Sequence, residues 1–212
     1  MTWVKICGVQ TTDNAMELAD MRLDALGINR YEPSSRYVDL GTASELTDRI
    51  RRVDSDVDVV GVYVNESLKR IREDHDAVGW DIIQLHGDES PDYTRSAAEM
   101  SRVMKAFQVQ EDFDVESFGG FQSWSYLLDA YHPERYGGTG ETAPWERIRF
   151  LTDDYRIVLA GGLTPGNVIE AISTVQPWGI DVCSGVETDE GLKDVDKVRD
   201  LLDDVRRHEF DH

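Results

Sequence analysis

Residues 157–182 read IVLAGGLTPGNVIEAISTVQPWGIDV, and they contain a whole strand, loop, helix and second strand. Ile157 to Ala160 is a short apolar run bounded by turn formers, the pattern of a strand buried on both faces. Gly161 and Gly162 end it. Thr164 and Pro165 then predict a helix start, with Thr164 as N-cap and Pro165 at the first helical position. Val168, Ala171, Ile172 and Val175 follow the i, i+3, i+4, i+7 spacing of one helix face. Gly179 to Val182 is the next strand. Two strands joined through a helix run parallel, because a parallel partner is reached only by a crossover.

The same unit recurs in both directions. Further strands are predicted at Trp3 to Cys7, Ala25 to Ile28, Val57 to Val64, Asp81 to Leu85, Val103 to Phe107 and Trp124 to Asp129, which makes eight. Helices fall between them. Ala43, Leu46, Ile50 and Val53 share a face behind a Thr42 and Glu45 capping box. Ser90 and Pro91 open another helix, and Val195, Val198, Leu202 and Val205 form the last. The fifth, around Asp112 to Gly120, has the least periodicity because Gly119 and Gly120 interrupt it. Eight units in 212 residues allow about 26 residues each. That suits a compact α/β chain closed as a single (β/α)8 TIM barrel, which normally takes about 200 to 250 residues. No linker, low-complexity tract or shift in composition divides residues 1–212, so one barrel domain is expected.

The formal charge is -20, from 22 Lys plus Arg against 42 Asp plus Glu. Such a surface repels phosphate backbones and anionic lipid, so nucleic acid and membranes are excluded as partners. Its kind is unusual too, with 17 Arg to 5 Lys and 26 Asp to 16 Glu. This is a halophile-like composition, and it predicts a fold that needs salt, since molar salt shortens the screening length to about 3 Å. No apolar run approaches the roughly 20 residues that span a bilayer, and no secretory leader pattern is present. A cytoplasmic chain is expected. Cys7 and Cys183 make neither a disulfide framework nor a metal motif, and the five histidines show no metal spacing.

In a barrel of this kind the chemistry sits at the C-terminal ends of the strands. The sequence there is Cys7-Gly8 after the first strand, Ser34-Ser35-Arg36 after the second, His86-Gly87-Asp88-Glu89 after the fourth and Asp129 after the sixth. Glycine clusters follow the last three strands: Gly137-Gly138-Thr139-Gly140, Gly161-Gly162 and Ser184-Gly185. Backbone without Cβ approaches an anion closely and presents several N–H groups to it. One glycine pair would be only a tight turn, but clusters after strands seven and eight occupy the two loops that commonly hold phosphate. A small phosphorylated substrate is therefore expected, with Gly138, Gly161, Gly162, Ser184 and Gly185 in contact with it.

The segments Lys5-Ile6-Cys7-Gly8, Ser34-Ser35-Arg36, Gln84-Leu85-His86-Gly87-Asp88-Glu89, Leu128-Asp129-Ala130, Leu159-Ala160-Gly161-Gly162-Leu163 and Asp181-Val182-Cys183-Ser184-Gly185-Val186-Glu187 together resemble the phosphoribosylanthranilate isomerase family of tryptophan biosynthesis. The match covers residues 4 to 194. The resemblance implies an Amadori rearrangement of an aminoaldose to an aminoketose without cofactor or metal, in a monomer or a homodimer. It makes Cys7 the general base and Asp129 the general acid, and gives Arg36 the anthranilate carboxylate, for which a planar bidentate guanidinium is suited. Lys5, two residues before Cys7 on one strand, points to the same side and is expected to favour a thiolate. His86 is expected to line and position the site.

Each assignment has a plainer competitor: a buried apolar thiol for Cys7, an ordinary carboxylate for Asp129, a surface pair with Asp39 for Arg36. The chain also departs from the family pattern. Arg30 replaces an apolar residue in the loop after strand two, only Trp145 remains of the Phe-Asp-Trp usual after Gly140, and Cys183 stands where serine is common. Cys183 and Cys7 are expected on one rim, within reach of an inhibitory disulfide. The competing functions are another phosphate-binding isomerase of the histidine pathway, which would want aspartates at strand ends where Cys7 and Lys105-Ala106-Phe107 stand, and a non-catalytic acidic binding module.

Overall fold

The computed structural model describes residues 1–109, 118, 120–129 and 148–211. Eight parallel strands close into a barrel: β1 (Trp3–Cys7), β2 (Ala25–Asn29), β3 (Asp58–Tyr63), β4 (Ile82–Leu85), β5 (Arg102–Gln108), β6 (Ser125–Asp129), β7 (Ile157–Ala160) and β8 (Gly179–Val182). Closure is made by β1, which pairs with β2 through Lys5↔Ala25 and with β8 through Trp3↔Gly179 to Ile6↔Val182. The eight predicted strands are all present, with ends differing by a residue or so.

Helices α1 (Thr12–Ala19), α2 (Leu40–Val53), α3 (Leu68–Val78), α4 (Pro91–Ala97), α5 (Val168–Val175) and α6 (Val195–Asp211) pack outside the sheet. Most of the weakly periodic stretch from 112 to 120 lies outside the described residues, as do 130–147. The eight units alternate strand-facing and helix-facing apolar residues. One set, including Val60, Val62, Ile82, Met104, Leu127 and Val158, fills the barrel, while a larger set, including Ile6, Leu26, Ile28, Leu46, Ile71 and Ile180, seals the sheet against the helices. The N-terminal end of the barrel is plugged by Trp3 stacked on Trp178 at 5.2 Å, with Trp124 edge-on to both.

Two helix starts differ from the sequence reading. The N-cap of α2 is Asp39, whose Oδ1 accepts from the Thr42 N–H at 3.0 Å, while the Thr42 hydroxyl donates to Asp39 Oδ2 at 2.6 Å. A carboxylate is a stronger acceptor than a hydroxyl, so Thr42 becomes the third helical residue, not the cap. The cap of α5 is Asn167, not Thr164: Asn167 Oδ1 accepts from the Thr164 N–H at 2.8 Å and its amide donates to the Gly162 carbonyl at 3.0 Å. This side chain closes a turn over Thr164 to Gly166 before the helix begins. The Ser90 cap with Pro91 at the first helical position is as predicted.

A feature with no counterpart in the sequence reading follows β8. A short turn at Ser184–Val186 leads into an antiparallel hairpin of β9 (Glu187–Asp189) and β10 (Leu192–Lys193). Asn14 of α1 clamps it, its amide donating to the Lys193 carbonyl at 3.0 Å and its Oδ1 accepting from the Lys193 N–H at 3.0 Å. The hairpin thereby folds back over the mouth of the barrel.

Candidate active site

At the C-terminal mouth lies a cavity of about 480 Å³. Its floor and walls follow from strand alternation. On β1 the inward positions are Trp3, Lys5 and Cys7, so Lys5 lies a layer below the thiol. On β8 Asp181 is inward in the same way, and Cys183, the residue after the strand, also lines the cavity. Cys7, Arg36, His86, Asp129, Asp181 and Cys183 all line the cavity, and Gly161, Gly162, Ser184 and Gly185 form one rim. Gly138 and Trp145 lie outside the described residues.

Lys5 is completely buried and forms an ion pair with Asp181 at 2.8 Å. Burial alone would lower its pKa, but Asp181 and Cys7 outweigh that and raise it, so the ammonium stays charged. Asp181 pays for the same burial with a pKa pushed up to about 6, opposed by Lys5. Its buried Oδ1 has no hydrogen-bond partner. Cys7 is held well below the usual thiol range by a hydrogen bond from Cys183, against the effect of burial, with Lys5 and then Lys193 adding positive potential. The thiolate expected from the sequence is thus supported by Lys5, and also by Lys193, which was assigned no role there, and by Cys183, which was expected only as a disulfide partner.

Arg36 does not pair with Asp39. Its Nε and NH2 grip Glu187 at 2.8 and 2.6 Å, and its NH1 lies 3.6 Å from Glu190. Lys193 shares Glu187, whose pKa burial would raise but which Arg36 and Lys193 together hold down to about 2. Only the hairpin places Glu187 and Lys193 here. A clue existed in the sequence, a glycine followed closely by lysine after the last strand, but its geometry is long-range.

Arg30, the departure in the loop after β2, points away from the cavity. Its guanidinium is buried against Asp74 at 2.9 Å and donates to the Val38 carbonyl; Asp74 also accepts from the Tyr63 hydroxyl at 3.2 Å. Asn29, Tyr31 and Ser34 of this loop do face the cavity. On the opposite wall, Gln84 Nε2 lies 2.9 Å from His86 Nδ1, and His86 Nε2 lies 3.7 Å from Asp129 Oδ2. In this orientation the Gln84 amide donates to Nδ1 and leaves the imidazole proton on Nε2, toward Asp129. The loop carrying His86 is itself anchored by a buried pair, Lys105 Nζ to Glu89 Oε2 at 2.9 Å. Among the described residues no cluster of His, Cys, Asp or Glu is arranged to hold a metal, and no helix is long and apolar enough to cross a membrane.

A closed parallel barrel whose mouth gathers a thiol, a carboxylate, an arginine and glycine-rich loops places the chain among the (β/α)8-barrel enzymes. The family model for N-(5'-phosphoribosyl)anthranilate (PRA) isomerase matches residues 4–204. A relative of that name from Citrifermentans bemidjiense is 41% identical over 207 residues, 98% of each chain. The crystal structure of phosphoribosyl anthranilate isomerase from Thermotoga maritima superposes with a TM-score of 0.87 at 36% identity, covering 98% of this chain and 100% of that one. Another structure of the isomerase, in complex with reduced 1-(o-carboxyphenylamino)-1-deoxyribulose 5-phosphate, superposes with a TM-score of 0.85 at 33% identity, covering 98% and 100%. The chain belongs to the N-(5'-phosphoribosyl)anthranilate isomerase family.

Proposed function

We propose that this chain converts N-(5-phosphoribosyl)anthranilate to 1-(2-carboxyphenylamino)-1-deoxyribulose 5-phosphate by an Amadori rearrangement, a step of tryptophan biosynthesis, in the cytoplasm, as a monomer or homodimer. The observation that carries the reading is a thiolate-stabilising environment for Cys7 in the same cavity as Asp129 and Arg36.

The reaction is an internal redox exchange, so it calls for proton transfers and no external oxidant or reductant. Asp129 donates a proton to the furanose ring oxygen. The C1–O bond breaks as the anilino nitrogen lone pair forms the C1=N bond of a Schiff base. The Cys7 thiolate then takes the C2 proton, and the electrons of the C2–H bond become the C1=C2 bond of the enolamine. A proton added at C1 and one lost from the C2 hydroxyl give the ketone. His86, beside Asp129, orients that carboxyl group and is placed to exchange a proton with it. Arg36 receives the anthranilate carboxylate on the side not occupied by Glu187, and the glycine rim after β7 and β8 receives the phosphate through backbone N–H groups.

The test is the loss of substrate fluorescence on mixing purified chain with freshly generated phosphoribosylanthranilate in molar KCl. Rapid loss is expected, and Cys7→Ala should slow it by about 10²- to 10⁴-fold, the usual contribution of a general base, with folding unchanged. A folded wild-type sample that gives no acceleration would overturn the reading.

A further inference from the structure

The mechanism above uses one thiol and leaves the other, Cys183, without a task. Strands β1 and β8 run in register through Ile6↔Val182, so the next pair toward the mouth is Cys7 and Cys183. Both side chains line the cavity, and the two thiols act on each other there, each pKa being moved by the other. On its far side Cys183 meets Lys193 of β10, whose Nζ lies 3.6 Å from the sulfur and 3.3 Å from the Cys183 carbonyl oxygen. An ammonium group has donors and no acceptor. The Cys183 sulfur must therefore accept the contact from Lys193, which leaves its own S–H to be donated, and Cys7 is the acceptor within reach.

Cys7 has a second neighbour in Lys5. A Cβ built on Gly27 would stand 2.8 Å from Cys7 Sγ and 3.1 Å from Lys5 Nζ, which shows how closely these two groups converge over the glycine. Lys5 donates to Asp181 at 2.8 Å, and its charge acts on Cys7 as well. The charge around the two sulfurs also limits what they can be. Facing them are Lys5 from β1, Asp181 from β8, Arg36 from the loop after β2, Glu187 from β9 and Lys193 from β10, with His86 acting on Asp181 from across the mouth. Glu187 pairs with Arg36 and Lys193, and the more exposed Glu190 lies 3.6 Å from Arg36, so Lys5, Arg36 and Lys193 are already matched by carboxylates and leave no cation to offset a second thiolate. Two would repel at this separation, and the direction of the S–H decides which sulfur carries the charge.

We propose that Cys183 is a positioning residue for the isomerisation: Lys193 turns its S–H toward Cys7, and that S–H holds Cys7 as the thiolate that takes the C2 proton. The directions of both thiol pKa values agree, Cys7 being lowered first by the Cys183 hydrogen bond and Cys183 being raised by the same contact and by burial. The assignment of Cys7 as base rests on the isomerase reading, while the state of the thiol pair does not. Of the five lysines, Lys5, Lys105 and Lys193 are buried, each beside a carboxylate, and only Lys69 and Lys197 stand at the surface.

The experiment compares wild type, Cys183→Ala and Cys183→Ser. Alkylation of Cys7 by iodoacetamide is followed against pH with site-resolved mass spectrometry, beside the pH profile of kcat/KM. Cys183→Ala should raise the Cys7 midpoint by about one pH unit or more, so that alkylation below the midpoint slows about tenfold. The acidic limb of kcat/KM should move by the same amount with KM little changed. Cys183→Ser keeps an O–H donor at nearly the same place and should retain most of the wild-type profile. Superimposable Cys7 titrations for wild type and the two variants would overturn the proposal, as would alkylation of Cys183 before Cys7 in the wild type. Because alkylation needs no turnover, a shifted titration in a chain without isomerase activity would sink the functional reading and leave the thiol pair standing.

Discussion

Gly185→Ala tests whether the loops after β7 and β8 act as one phosphate site. Gly185 sits in the turn at Ser184–Val186, and a Cβ there would lie 1.8 Å from the Leu163 carbonyl oxygen, 2.8 Å from its carbon and 3.0 Å from Thr164 Cγ2. The first two are backbone atoms and cannot swing aside. To reach even 3.0 Å, the two loops must part by about 1.2 Å. Overpacking of this kind costs about 1–3 kcal/mol, which lowers Tm by roughly 2–4 °C per kcal/mol in a domain of this size. The larger effect is on binding. Losing one charge-assisted hydrogen bond to phosphate costs about 1.5–3 kcal/mol, or roughly 10- to 100-fold in KM.

Gly162→Ala is the contrast, because a Cβ there meets nothing within 4 Å and the expense is backbone strain alone at φ +65°. That strain is about 1–2 kcal/mol, so Tm should fall while KM stays close to wild type. The assay is steady-state kinetics with inorganic phosphate as competitive inhibitor, together with thermal melts. A Gly185→Ala variant with wild-type inhibition by phosphate would refute the reasoning, and so would equal losses of affinity in both variants.

Four further outcomes are expected. Lys105→Met leaves Glu89 as a buried unpaired carboxylate, 1% exposed in its side chain, so stability should drop by about 3–5 kcal/mol and be partly restored by adding Glu89→Leu; a single variant that melts with the wild type would contradict this. Glu187 is held at about 2 against an ordinary 4.5, so its stabilisation is complete above pH 4.5 and disappears as pH falls toward 2. Discounted for the partial exposure of Arg36, wild type should exceed Glu187→Gln by about 1–2 kcal/mol at neutral pH, and denaturant melts showing an unchanged gap in acid would refute it. The charge of -20 predicts a higher and more cooperative melt in about 3 M than in about 0.05 M KCl; equal melts would remove the salt argument. Neighbouring strands stand about 4.8 Å apart, inside the roughly 4.4–6.8 Å span of a disulfide, so diamide, itself reduced to the hydrazide as it takes two electrons and two protons, should join Cys7 to Cys183 and abolish turnover until dithiothreitol is added. Full activity with both thiols still titratable would exclude that bond.

The barrel and the position of its mouth were legible because both rest on local signals. Each strand is a short apolar run, each crossover helix has a 3.6-residue period, and eight repeats leave closure as the arrangement without exposed edges. Two caps were misplaced because the Asp39 carboxylate outcompetes the Thr42 hydroxyl as acceptor, while the Asn167 side chain closes a turn over Thr164 to Gly166 that delays the start of α5. Cys7, Asp129, Arg36, His86 and Lys5 were legible by position and by family resemblance, and the structure places all five at or beneath one cavity.

What the sequence alone determined is the identity and strand-end placement of the groups expected at the site, since period-2 alternation puts Lys5 and Cys7 on one side of β1 and barrel closure brings Cys183 to the same rim. What only the tertiary structure decided is how those groups are charged. Protonation depends on contacts between residues far apart in the chain: Lys5 with Asp181, Cys7 with Cys183, Lys193 and Arg36 with Glu187. The register of β1 against β8 and the fold-back of the β9 and β10 hairpin set those contacts. Coulomb and desolvation energies fall off over a few ångströms of space, not along the chain, so the local positive potential of this site, within a molecule of charge -20, could be read only after folding had brought the three cations together.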